Sequence, residues 1–197
     1  MCIRDSVHNA PLRSGKGSAY EGGVRVPLVV SGVRGEDTGG RRVSTPVSVI
    51  DLFPTILELT STPAPTDHLD TIDGTSLVGL LGGDSATDVP SEDRLLAWHM
   101  PHQWGASGPG IEPFTSIRRG RWKLLYFHDG PRIELYDLAT DLSERNDLAA
   151  ERPSVARKLL IDLQEWVDAT GAELSIDTGT DAEIASPADF ARTLDQD

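Results

Sequence analysis

Apolar residues fall into runs of two different periods along this chain. Between Val24 and Gly32, residues Val26, Leu28, Val29 and Val30 form a continuous apolar stretch closed by a glycine. Such a run predicts a buried strand. Pro27 lies early in it, where a strand start or a sheet edge tolerates a missing N–H. From Ser48 to Leu59 the period changes. Leu52, Ile56 and Leu59 recur at helical spacing, Ser48 or Asp51 can cap the segment, and Pro54 fits only in a first turn. Leu77 to Leu81 predicts a short apolar turn or helix ended by Gly82 and Gly83.

After Leu95 the pattern is one of short segments rich in β-branched and aromatic residues: LLAWH, FTSIRRG, WKLLYF and RIELYDL. Gly120-Arg121 and Asp129-Gly130 punctuate them as turns, which predicts an antiparallel meander. Pro153 then opens a helix through Val167, with Val155, Leu159, Leu160, Leu163 and Val167 on one face. A sheet with one such helix across it is an α+β unit. Trp122, Tyr126, Tyr136 and Trp166 are spaced as its core residues. No internal repeat is visible.

The remaining segments read as connections and ends. Residues 7–23 form a Gly- and Ser-rich loop, and 33–44 a polar surface loop. Residues 1–6 (MCIRDS) match nothing that follows and are expected to be an artefactual leader. Residues 171–197 are expected to be an acidic, weakly ordered tail with one marginal helix near Pro187 to Leu194.

Composition narrows the function classes. The net charge is -13 over 197 residues, and an acidic chain repels phosphate backbones, so no nucleic-acid partner is expected. Cys2 is the single cysteine, so there is no internal disulfide and no metal-binding cysteine spacing. No apolar run is long enough for a membrane span.

The order of motifs carries a resemblance. APLRSGKGSAYEGGVRVPLVVSG, VSVIDLFPTILELT, IDGTSLVGLL, SIRRGRWKLLYF and ELYDLATDLSERNDLA follow one another over roughly residues 9 to 170. In sequence order and spacing they resemble the type I sulfatase family, of the alkaline-phosphatase-like superfamily, and in particular its carbohydrate sulfatases. The resemblance implies the end of an α/β catalytic domain over residues 7–90. It implies an α+β subdomain over 91–170, with a small antiparallel sheet packed on a C-terminal helix. It also implies, in the complete enzyme, a calcium ion and a formylglycine nucleophile made within a C/S-x-P-x-R motif. Neither that motif nor the family's calcium carboxylates match any position here, so this chain alone is expected to be inactive and to hold no metal. Family precedent points to a periplasmic or secreted enzyme.

Lys16, in Ser-Gly-Lys-Gly-Ser, reads from the residues alone as an exposed loop lysine. A Walker A reading fails, because Gly17 follows it rather than Ser or Thr. The resemblance places Lys16 on the family's sulfate-contacting lysine. There a fixed ammonium would stabilise charge that builds on the sulfuryl and leaving-group oxygens. Glu21 and Arg25 read as a supporting pair behind a glycine turn. His99 and His102, in Trp-His-Met-Pro-His, read either as contacts to a sulfated sugar or as ordinary loop histidines. Two histidines without a third ligand make no metal site. Arg118, Arg119, Arg121 and Lys123 read as a solvated basic face.

The expected partner is a sulfated small molecule or glycan. Two other readings stay open: a phosphonate or phosphodiester hydrolase of the same superfamily, or a non-catalytic glycan-binding module.

Overall fold

The computed structural model describes residues 9–32, 40, 42–64, 72–82, 90–91, 93–103, 105, 107–177 and 182–194. The 1–6 leader lies outside them. The chain divides into two units, one of Met1–Pro27 with Leu95–Asp197 and one of Leu28–Arg94.

In the first unit, β1 (Leu95–Met100), β2 (Phe114–Arg119), β3 (Trp122–Phe127) and β4 (Arg132–Asp137) form a four-stranded antiparallel sheet in that order. The register pairs Ile117 with Leu124 and Leu124 with Leu135. Because side chains alternate across a strand, this register gives the sheet two apolar faces. On one face Ile117, Leu124, Tyr126 and Leu135 pack against Ala156, Leu159, Leu160 and Leu163 of α4 (Pro153–Thr170). Pro153 opens that helix where its missing N–H costs nothing, and Gly171 ends it in the left-handed region at φ 64°. On the other face Phe114, Leu125, Phe127 and Tyr136 pack against Ala19 and Tyr20. The glycine-rich segment around Lys16 is therefore part of this core, and it leads into α1 (Glu21–Val24).

The described part of 171–194 packs on the sheet as well. The two-residue strands β5 (Ile176–Asp177) and β6 (Ala182–Glu183) pair with each other, and α5 (Pro187–Thr193) lays Ala191 into the α4 core. Ser186 caps α5: its hydroxyl accepts from the Asp189 N–H at 3.1 Å. An acidic composition did not reveal the few apolar anchors in this segment.

In the second unit, a 3₁₀ turn (Val49–Asp51) runs into α2 (Leu52–Leu59), and α3 (Val78–Gly82) follows. Asp51 organises the region. Fully buried, it accepts from the N–H of Ser48 at 2.7 Å and of Thr75 at 2.9 Å, and it pairs with Arg94. Those hydrogen bonds outweigh burial and hold its carboxyl below the usual range. Gly74 passes so close that a Cβ there would lie 2.1 Å from the Ile50 carbonyl oxygen.

Two expectations need correction. Residues 26–30 form no strand among the described residues, and Val26 and Val29 are 77% and 88% exposed. An apolar run signals that a segment wants burial, but a strand also needs a neighbour for its backbone groups, and none is paired with it here. Lys123 is not on a solvated face either. It is fully buried between two glutamates.

Candidate functional site

The loop that carries Lys16 is shaped by backbone conformations that few residues adopt. Ser14 sits at φ 61° and Gly17 at φ 86°. The Gly22 N–H donates to the Arg13 carbonyl at 2.9 Å, and the Asn9 amide donates to the Gly22 carbonyl at 2.7 Å. A Cβ on Gly22 would fall 2.3 Å from the Arg13 oxygen, and one on Gly23 2.0 Å from the Ser18 oxygen. Both glycines are there because the backbone crosses itself.

The β1–β2 connection holds the loop from a second side. Ser14 and Ser18 both donate their hydroxyls to the Pro109 carbonyl at 2.9 Å, and the Ala19 N–H donates to the Gly110 carbonyl at 2.9 Å. Between them lies an open depression lined by Ser14, Ser107, Gly108, Pro109 and Ile111.

The sheet holds it from a third. The Arg13 guanidinium lies 3.7 Å above the centre of the Tyr20 ring and donates to the Tyr136 hydroxyl at 2.9 Å. Tyr20 and Tyr136 each donate to Glu134 Oε2 at 2.7 Å. Burial first, and then this acceptor, push both phenols well above their ordinary range, so they remain donors.

Beneath lies a buried ionic triad. Lys123 Nζ donates to Glu21 Oε1 at 3.0 Å and to Glu144 Oε1 at 2.9 Å, while Glu144 Oε2 accepts from the Glu21 N–H at 2.6 Å. Burial raises the carboxyl pKa of both glutamates. At Glu21 the ammonium wins and the carboxyl lies below its usual value; at Glu144 burial wins and it lies above. The expected Glu21–Arg25 pair is present at 3.3 Å as the outer arm of this cluster.

Lys16 itself is exposed and makes no hydrogen bond or ion pair with any described residue. The structure thus presents an exposed ammonium, unpaired among the described residues, on a loop whose flanks are fixed at three places.

The two histidines named from the sequence are placed differently from each other. His102 is exposed. His99 is half-buried, with both ring nitrogens engaged: Nδ1 lies 2.8 Å from Thr115 Oγ1, and Nε2 lies 3.0 Å from the Glu173 carbonyl. His128 is buried, with Nε2 2.9 Å from the same Thr115 hydroxyl and Nδ1 2.7 Å from Ser175 Oγ. Burial first, and then His99, push the His128 pKa down from 6.5 to about 4. Sequence reasoning also missed the triad, although the signal of a charged residue inside an apolar strand, Lys123 in WKLLYF, was there to be read.

A family model described as N-sulphoglucosamine sulphohydrolase, C-terminal, matches residues 15–169. The chain belongs to the sulfatase family. A sulfatase of Formosa agariphila is 30% identical over 177 residues, covering 86% of this chain and 32% of its own length. An arylsulfatase K of Xenopus laevis is 31% identical over 156 residues, covering 78% of this chain and 28% of its own. This sulfatase chain thus spans about a third of the length of such relatives. Among solved structures, Ps i-CgsB in complex with k-i-k-neocarrahexaose shares the fold, with a TM-score of 0.58 at 23% identity over 80% of this chain and 32% of that one.

Sulfatases generally use formylglycine and calcium. The sequence has no C/S-x-P-x-R motif, and no group of three or more His, Cys, Asp or Glu among the described residues could hold a metal ion. No helix among them is long and apolar enough to cross a membrane.

Proposed function

We propose that this chain is the C-terminal part of a sulfatase that hydrolyses sulfate esters of a sulfated carbohydrate, and that its own contribution to catalysis is Lys16. The observation that carries this reading is the exposed ammonium of Lys16, unpaired among the described residues, on a loop pinned by Arg13, Ser14, Ser18 and Glu21. An ammonium whose loop is already fixed stabilises charge growing on sulfuryl oxygens without reorganising at the moment of reaction. As a compact point charge it suits an oxyanion rather than a planar, bidentate partner.

His102 is the more suitable of the two histidines for direct contact with the sugar, since it is exposed. His99, with both nitrogens engaged, acts by positioning the strand end from which residues 101–103 emerge. Carbohydrate as the substrate class is supported by the k-i-k-neocarrahexaose bound to Ps i-CgsB. Export to the periplasm or outside the cell is part of the same proposal and rests on family precedent.

The nucleophile and the calcium carboxylates belong to parts of a sulfatase that these residues do not supply. The 197-residue chain alone is therefore expected to leave an aryl sulfate unchanged in the presence of calcium. Turnover above background by the purified chain would sink this division of labour.

A further inference from the structure

A chain of hydrogen bonds crosses the end of the sheet from one backbone carbonyl to another. It runs from the Pro101 carbonyl to Ser175 Oγ, to His128, to Thr115 Oγ1, to His99 and out to the Glu173 carbonyl. That makes five links, and each needs one hydrogen. Serine, threonine and two neutral imidazoles bring one hydrogen each, and both terminal carbonyls only accept. With both rings neutral the chain is therefore one hydrogen short, and one link must bring two lone pairs together.

The place of the gap follows from burial. Ser175 must donate to Pro101, since a carbonyl cannot. His128 must then donate Nδ1–H to Ser175, which leaves its Nε2 to accept from Thr115. Thr115 in turn accepts from His99 Nδ1–H. Thr115 and His128 are buried and the other inner links are partly buried, whereas the link to Glu173 is exposed, so an unpaired polar atom costs least there. The gap therefore falls at the solvent end, between His99 Nε2 and the Glu173 carbonyl. One proton on His99 fills it.

We propose that this chain is a one-proton latch: protonation of His99 fastens the segment around Glu173 and Ser175 to the end of the sheet, and deprotonation loosens it at Glu173. Docking and protonation favour each other through the Glu173 carbonyl, which raises the affinity of His99 for a proton. Burial, the larger influence, lowers that affinity, and so does the charge on His102. The latch therefore closes below the ordinary histidine range. The other groups around the pair are Trp166 of α4, 6.1 Å from the His99 ring, and Tyr126 of β3, 5.7 Å from the His128 ring. Burial, followed by Asp189 of α5, raises the Tyr126 hydroxyl to about 12, so it stays protonated throughout.

The test is long-range ¹⁵N–¹H correlation of the imidazoles in the full 197-residue chain between pH 7.5 and 4.5, with protection factors for the backbone amides of residues 172–177. The latch predicts neutral His128 as the Nδ1–H tautomer at every pH above its own titration. It predicts that His99 takes up the proton first, with a several-fold gain in protection of 172–177 over the same step. His99→Gln keeps one donor toward Glu173 and cannot titrate, so its protection should be independent of pH. His128 found as the Nε2–H tautomer would overturn the latch, as would protection of 172–177 that does not change as His99 titrates. A pH-dependent gain that survives in His99→Gln would overturn it too.

Discussion

Lys123 and Glu144 meet in full burial, ammonium to carboxylate at 2.9 Å, with neither side chain exposed at all. Glu144 stands at φ 51° to do so, and its other oxygen holds the backbone N–H of Glu21, just past the Lys16 loop. The pair thus ties the sheet, through one carboxylate, to the segment that presents the catalytic candidate.

Removing the cation should be costly. Lys123→Met leaves Glu21 and Glu144 facing each other in the core, and breaking a buried pair from one side costs about 3–5 kcal/mol. Urea denaturation should show that loss. Glu144→Gln removes charge but keeps a hydrogen-bonding side chain, and should cost clearly less. Equal stability of Lys123→Met and the parent chain would mean the triad is not formed.

Glycine replacements separate crossing points from open turns. Gly22→Ala puts a Cβ 2.3 Å from the Arg13 carbonyl, a backbone atom that cannot step aside. A loss of about 1–3 kcal/mol is expected, as for overpacking a fixed site. Gly130→Ala meets no atom within 4 Å and has only its φ of 61° against it, so it should cost about 1 kcal/mol. Thermal denaturation of both variants checks the order.

Acid should weaken the fold through His128. Its folded pKa of about 4 lies below the ordinary 6.5, so between those values the unfolded chain binds more protons. Stability is then complete above pH 6.5 and is lost as pH falls toward 4. The midpoint temperature should drop across that window, and in His128→Gln the drop should be shallower. An identical slope in the variant would assign the acid sensitivity elsewhere.

The meander and the long helix were legible because period and turn chemistry are local. WKLLYF is a short apolar and aromatic run, Gly120-Arg121 turns, and Leu159, Leu160 and Leu163 share one face. What escaped was long-range. Lys123 finds Glu21 from 102 residues away, and nothing local to WKLLYF announces that partner. His128 pairs with Ser175 across 47 residues for the same reason. The 26–30 run was misjudged because hydrophobicity reports a tendency to be buried without naming the neighbour that would bury it. At the site, the glycines flanking Lys16 were visible, but the serine hydroxyls that pin its loop to Pro109 were not.

The most direct test of the central proposal is Lys16→Ala in a complete sulfatase carrying this C-terminal part, assayed on a sulfated glycan and on a small aryl sulfate. Loss of one preorganised charge at the sulfuryl group should lower kcat/KM about a hundredfold on both substrates, or roughly 3 kcal/mol. The midpoint temperature should stay nearly unchanged, since the exposed side chain buries little. Lys16→Arg should recover part of the rate, and His102→Ala should impair the glycan while sparing the aryl sulfate. Normal kinetics of Lys16→Ala on both substrates would contradict the account and leave this chain a structural and substrate-shaping segment.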